Sequence, residues 1–102
     1  DDHPERPTRI KAIHQELLMR GLLDGAISVP VRSVKFETAL RVHSKDWLLR
    51  CGDLQNMELP ELILEAQRYE SVFFNNASVS SARLSAGATV ALTEGVVRGT
   101  CF

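Results

Sequence analysis

The sequence has few cysteines, few aromatics and no long hydrophobic run. Cys51 and Cys101 are its only cysteines. Two isolated thiols make no disulfide framework, and nothing in their spacing shows that they meet. A reducing, intracellular compartment is therefore expected. No apolar stretch approaches the roughly 18 residues that a membrane-spanning helix requires. No basic segment followed by an apolar one opens the chain, so no secretory signal is expected. Charge of neither sign dominates: 12 basic and 13 acidic residues leave a formal net charge of −1. Direct nucleic-acid binding and electrostatic membrane anchoring both favour a basic excess, and neither is expected. Asn76-Ala77-Ser78 has the form of a glycosylation sequon, read here as chance because no signal segment accompanies it.

Catalytic and metal-binding patterns are also missing. The three histidines, His3, His14 and His43, form no HExxH and no Cys/His pair with ligand spacing. There is no G-x-S-x-G, no glycine-rich phosphate loop and no CxxC. His14 sits among helical residues and reads as a surface or satisfied core residue. His43, beside Ser44, reads as a local hydrogen-bonding residue. Glu5 and Arg6 read as a solvated pair. From the residues alone, no catalytic group and no metal ligand can be assigned.

An apolar content of 44% over 102 residues suits one domain or a piece of one. Pro7 fits the first turn of a helix, where its missing N–H costs nothing. Ile10, Ile13, Leu17 and Leu18 follow on one face, and Gly21 is a natural stop. Ile27, Val29 and Val31 alternate as in a short strand, with Pro30 pointing to an edge or a strand end. Ser33 can cap a short helix that buries Phe36, Ala39, Leu40 and Val42. Ser44 can cap another, with Trp47, Leu48 and Cys51 inward and Gly52 near its end. Leu59-Pro60-Glu61 starts a further helix, with Leu62, Ile63 and Ala66 as its apolar positions. Ser71 to Phe74 reads as extended or loop-like. Ser78 opens the longest helix, running to about Arg98 with Gly99 as its stop. Its small residues, Ser80, Ser81, Ala82, Ser85, Ala86, Gly87 and Ala88, predict close packing against a sheet or another helix. Gly87 costs such a helix about 1 kcal/mol relative to alanine.

Five stretches together carry a family resemblance. They are His3-Pro4-Glu5-Arg6-Pro7-Thr8-Arg9-Ile10, Gly21-Leu22-Leu23, Pro30-Val31-Arg32, Val42-His43-Ser44, and the run from Tyr69-Glu70-Ser71-Val72-Phe73-Phe74-Asn75-Asn76 to Ser81-Ala82-Arg83-Leu84-Ser85-Ala86-Gly87. In this order and spacing the sequence resembles the zinc-dependent histone deacetylases of class II. The Asn75-Asn76 pair is most similar to the fungal branch. Trp47 stands where the family usually has tyrosine, which changes local packing.

The resemblance implies an α/β fold: the N-terminal segment of a three-layer arginase/deacetylase-like domain with a mainly parallel sheet. Residues 1–102 would be an incomplete, mostly helical part of that domain, with one or two short strands. His3 and Pro4 would lie on the rim of the active-site tunnel, in a loop stiffened by prolines. Ser71 would fall where the family accepts a hydrogen bond from the substrate backbone. Arg9 would fall beside an internal channel associated with acetate release. The family's tandem histidines, zinc ligands and catalytic tyrosine are not among these residues. The segment itself would therefore hold no cofactor, whereas the intact domain would hold zinc, which polarises the acetyl carbonyl and activates water. The implied substrate is an acetylated histone or another acetyl-lysine protein, with deacetylase complex subunits as further partners and the nucleus or cytoplasm as location. A non-catalytic module that associates with a deacetylase or another partner is the alternative reading.

Overall fold

The computed structural model describes residues 4–101. Helix α1, Pro7–Met19, begins with proline in its first turn. It ends in a Schellman motif: Gly21, at φ 65°, donates its N–H to Leu18, and Leu22 donates to Leu17. Helix α2, Phe36–Ala39, is a single turn. Helix α3, Lys45–Asp53, is capped by Ser44, whose hydroxyl accepts from the Trp47 N–H. A 3₁₀ turn, Leu54–Asn56, continues it. Helix α4, Leu59–Ala66, opens with a capping box. There the Glu61 side chain accepts the Glu58 N–H, and the Glu58 side chain accepts in return from the backbone of Glu61. Helix α5, Ser78–Val97, is the longest element. A second Schellman motif closes it, with Gly99 at φ 71° donating to Val96 and Thr100 to Gly95.

Two expectations are corrected. No β-strand forms among the described residues, and Ile27–Val31 carries no regular structure. A strand exists only through a ladder to a neighbour, and no described segment pairs with this one. The cap of α2 is Lys35, not Ser33, and it makes no side-chain capping bond. The stretch around Ser33 is instead committed to α5. Val34 donates its N–H to the Arg83 carbonyl at 2.9 Å, and Arg83 Nη2 donates back to the Val34 carbonyl at 3.3 Å.

That crossing explains the small residues of α5. Gly87 is buried, and a Cβ there would overlap the Arg32 carbonyl oxygen and stand 2.9 Å from the Val34 nitrogen. The close approach is made by the irregular segment at residues 32–34, rather than by a sheet or a helix.

Few side chains among the described residues are fully buried. Leu54 and Leu62 are the buried apolar residues, and the 3₁₀ turn that carries Leu54 packs against α3 and α5. Asn76, just ahead of α5, directs its amide nitrogen at the carbonyls of Leu54, Gln55 and Met57, at 3.3, 3.0 and 2.9 Å. Elsewhere the predicted inward faces lie open. Ile10, Ile13 and Leu18 of α1 are exposed, as are Phe36, Leu40, Val42, Trp47 and Ile63.

Candidate functional site

Tyr69 is the centre from which the site is built. Its ring stands edge-on to Trp47 at 6.1 Å and to Phe74 at 5.8 Å, an arrangement that favours aromatic contact. Trp47 comes from α3 and Phe74 from the loop before α5, so the three rings join separate parts of the chain. Two residues after Tyr69 the backbone turns through Ser71 at φ 55°, the left-handed region, where no other described non-glycine residue sits. Such a conformation costs about 1–2 kcal/mol for an L-residue and persists where the surroundings hold it.

Ser71 is exposed, and it lines an open hollow of about 600 Å³ together with Glu5, Ala66, Gln67, Tyr69, Val72 and Phe73. The N-terminal loop and the loop after α4 therefore converge, although more than sixty positions separate them in sequence. Pro4, exposed, is the neighbour of Glu5. His3 lies outside the described residues. Arg9, on the first turn of α1, is half-exposed and pairs through Nε with Glu5 at 3.2 Å. Arg9 thus reaches the hollow through a residue that lines it. Val72 and Phe73 of the Ser71 loop are exposed, whereas Phe74 packs edge-on against Tyr69.

Beneath the loop is a polar cluster that sequence reasoning missed. Arg50 of α3 grips Glu65 of α4 in a two-pronged contact, Nε to Oε1 and Nη2 to Oε2, both 2.9 Å. Arg68 reaches the same carboxylate at 3.3 Å, and the Tyr69 hydroxyl donates to Oε1 at 3.3 Å. Glu65 retains only 11% side-chain exposure. The hydrogen bonds from Arg50 hold its carboxyl below the usual range against the opposing effect of desolvation. Desolvation, followed by the charge of Glu65, raises Tyr69, keeping its hydroxyl a donor. Tyr69 lies four residues past Glu65, just beyond the end of α4, and the fifteen-residue reach to Arg50 left no local signal.

Among the described residues, no group of three or more His, Cys, Asp or Glu side chains could hold a metal ion. Cys51 is partly covered, and that burial raises its thiol, with Arg50 pulling the other way. No helix among the described residues is long and apolar enough to cross a membrane.

The profile of the histone deacetylase domain matches residues 3–101. The chain belongs to the histone deacetylase family. It is 35% identical to histone deacetylase HDA1 of Saccharomyces cerevisiae, over 97% of this chain and 16% of that protein. The corresponding identity to histone deacetylase HDA1 of Candida albicans is 32%, over 97% of this chain and 13% of that protein. Polyamine deacetylase HDAC10 of Danio rerio is 30% identical over 92% of this chain and 14% of its own length. The chain thus spans about a sixth or less of the curated relatives it matches. The resemblance to fungal class II deacetylases holds, and the family's arginase-like fold is the framework to which these histone deacetylase helices belong.

Proposed function

We propose that residues 1–102 form the N-terminal segment of a deacetylase domain that hydrolyses acetyl-lysine amides, and that this segment supplies tunnel-rim loops and packing helices. In that domain a three-layer fold with a mainly parallel sheet covers the faces left open here. Zinc and its ligands belong to residues outside the segment, and no step of the chemistry is assigned to the histidines present. The observation that carries the reading is the shared hollow of Glu5 and Ser71, which brings the residues just ahead of α1 beside the loop after α4. Arg9 serves the channel behind the active site.

A serine hydroxyl on the rim can accept from the backbone N–H of a peptide substrate. By likeness to the family, the substrate class is an acetylated histone or another acetyl-lysine protein. The enzyme would act in the nucleus or cytoplasm, alone or with complex subunits.

The test is Ser71→Ala in the intact enzyme. One neutral hydrogen bond contributes about 0.5–1.5 kcal/mol, so kcat/KM should fall roughly 2- to 13-fold. The loss should disappear on a peptide methylated at the backbone nitrogen beside the acetyl-lysine. Equal losses on both peptides would remove Ser71 from substrate contact.

A further inference from the structure

Ser71 adopts a backbone conformation that serine does not prefer, on an exposed loop. Something must hold it there if its hydroxyl is to meet a substrate in one place. The nearest fixed point in sequence is Tyr69, which is held in two ways. Its ring is wedged between Trp47 and Phe74. Its hydroxyl is tied to Glu65, and Glu65 is tied by two 2.9 Å bonds to Arg50 on another helix. A two-pronged guanidinium–carboxylate contact fixes direction as well as distance. It orients Oε1 toward the Tyr69 hydroxyl, whereas a lone carboxylate would be free to rotate. On the far side of the loop, Asn76 secures the chain to the carbonyls of Leu54 and Gln55 in the 3₁₀ turn and of Met57 just after it. The loop that bears Ser71 is thus pinned at both ends to the α3–3₁₀ unit.

We propose that Glu65, clamped by Arg50, is a positioning residue for substrate recognition: through the Tyr69 hydroxyl it sets the Ser71 loop at the rim where a peptide backbone passes. The proposal rests on the reading of Ser71 as a substrate contact. Neither Glu65 nor Arg50 lines the hollow, so both act through Tyr69. The ring alone gives the loop a location. The hydroxyl's bond to Glu65 adds the rotational constraint that keeps the next two residues in register.

The experiment uses the intact deacetylase with Ser71→Ala, Tyr69→Phe and Glu65→Gln, singly and with each of the latter two combined with Ser71→Ala. Tyr69→Phe keeps the ring and removes only the hydroxyl, so it remains informative if Glu65→Gln folds poorly. Each variant is assayed on an acetyl-lysine peptide and on its backbone N-methylated counterpart. Tyr69→Phe should raise KM on the unmethylated peptide by roughly 2-fold or more, up to the full Ser71→Ala loss, with kcat little changed. Its effect should vanish on the methylated peptide and in the Ser71→Ala background. If Ser71→Ala shows dependence on the N–H while Tyr69→Phe lowers activity equally on both peptides, or adds fully to Ser71→Ala, the cluster is merely structural and the proposal fails. If Ser71→Ala itself shows no such dependence, the substrate-contact reading fails and takes the positioning role with it.

Discussion

Glu65 concentrates several interactions in one side chain, and its charge state should be visible in stability. Its folded pKa lies below the ordinary value, chiefly because Arg50 donates to it. A group of this kind contributes stability that is complete above its unfolded pKa and lost as the pH falls through its folded one. Glu65→Gln should therefore lower the denaturant midpoint of the intact enzyme near neutral pH. The gap should narrow as the pH falls through and below about 4.3. A gap that stays constant across that range would contradict the role of the charge. Arg9 poses a different question at this scale. It is paired with Glu5 and half-exposed, and the proposal places it beside the internal channel of the intact domain. Arg9→Ala in the intact enzyme should slow kcat more than it changes KM, measured on an acetyl-lysine peptide. Unchanged kcat with normal thermal stability would take Arg9 out of the channel.

Helices α3, α4 and α5 were legible in the sequence because helix ends are written locally. Ser44 caps α3, Pro60 sits in the first turn of α4, and Gly99 closes α5 at a positive φ. The stretch at Ile27–Val31 misled because alternation describes a strand's faces without supplying its neighbour. The Arg50–Glu65 contact was illegible for a related reason: it depends on how α3 and α4 meet. For the site, the sequence pointed to Ser71 through family likeness, while its strained backbone and its shared hollow with Glu5 emerged only from the fold. The element that tests this packing best is α5. In an open helix, Gly87→Ala should stabilise by about 1 kcal/mol. Here the new Cβ would overlap the Arg32 carbonyl, and overpacking of this kind typically costs about 1–3 kcal/mol. Gly87→Ala should therefore lower the melting temperature of the intact enzyme. A raised melting temperature would mean that the segment at residues 32–34 does not cross α5 there.

At the scale of the whole chain, surface area governs. A closed monomer of 11.3 kDa exposes about 5,700 Å², whereas this chain exposes 8607 Å². Its radius of gyration, 16.7 Å, exceeds the roughly 13 Å of a compact domain of this length. The apolar faces of α1 and α2, together with Ile27 and Val31, account for part of that surface. The isolated 102-residue chain should consequently bind a hydrophobic dye and melt without a sharp transition. A clean monomer with a cooperative transition and no dye binding would contradict that expectation.

The most direct test of the proposed division of labour compares that isolated chain with the intact enzyme. Each would be dialysed against metal-free buffer after zinc loading, and then assayed for retained zinc and for hydrolysis of an acetyl-lysine peptide. The account predicts retained zinc and turnover in the intact enzyme, and neither in the isolated chain, whose residues offer no converging ligand set among those described. Stoichiometric zinc and acetyl-lysine hydrolysis by the 102 residues alone would contradict it, as would an intact enzyme that hydrolyses no acetyl-lysine peptide.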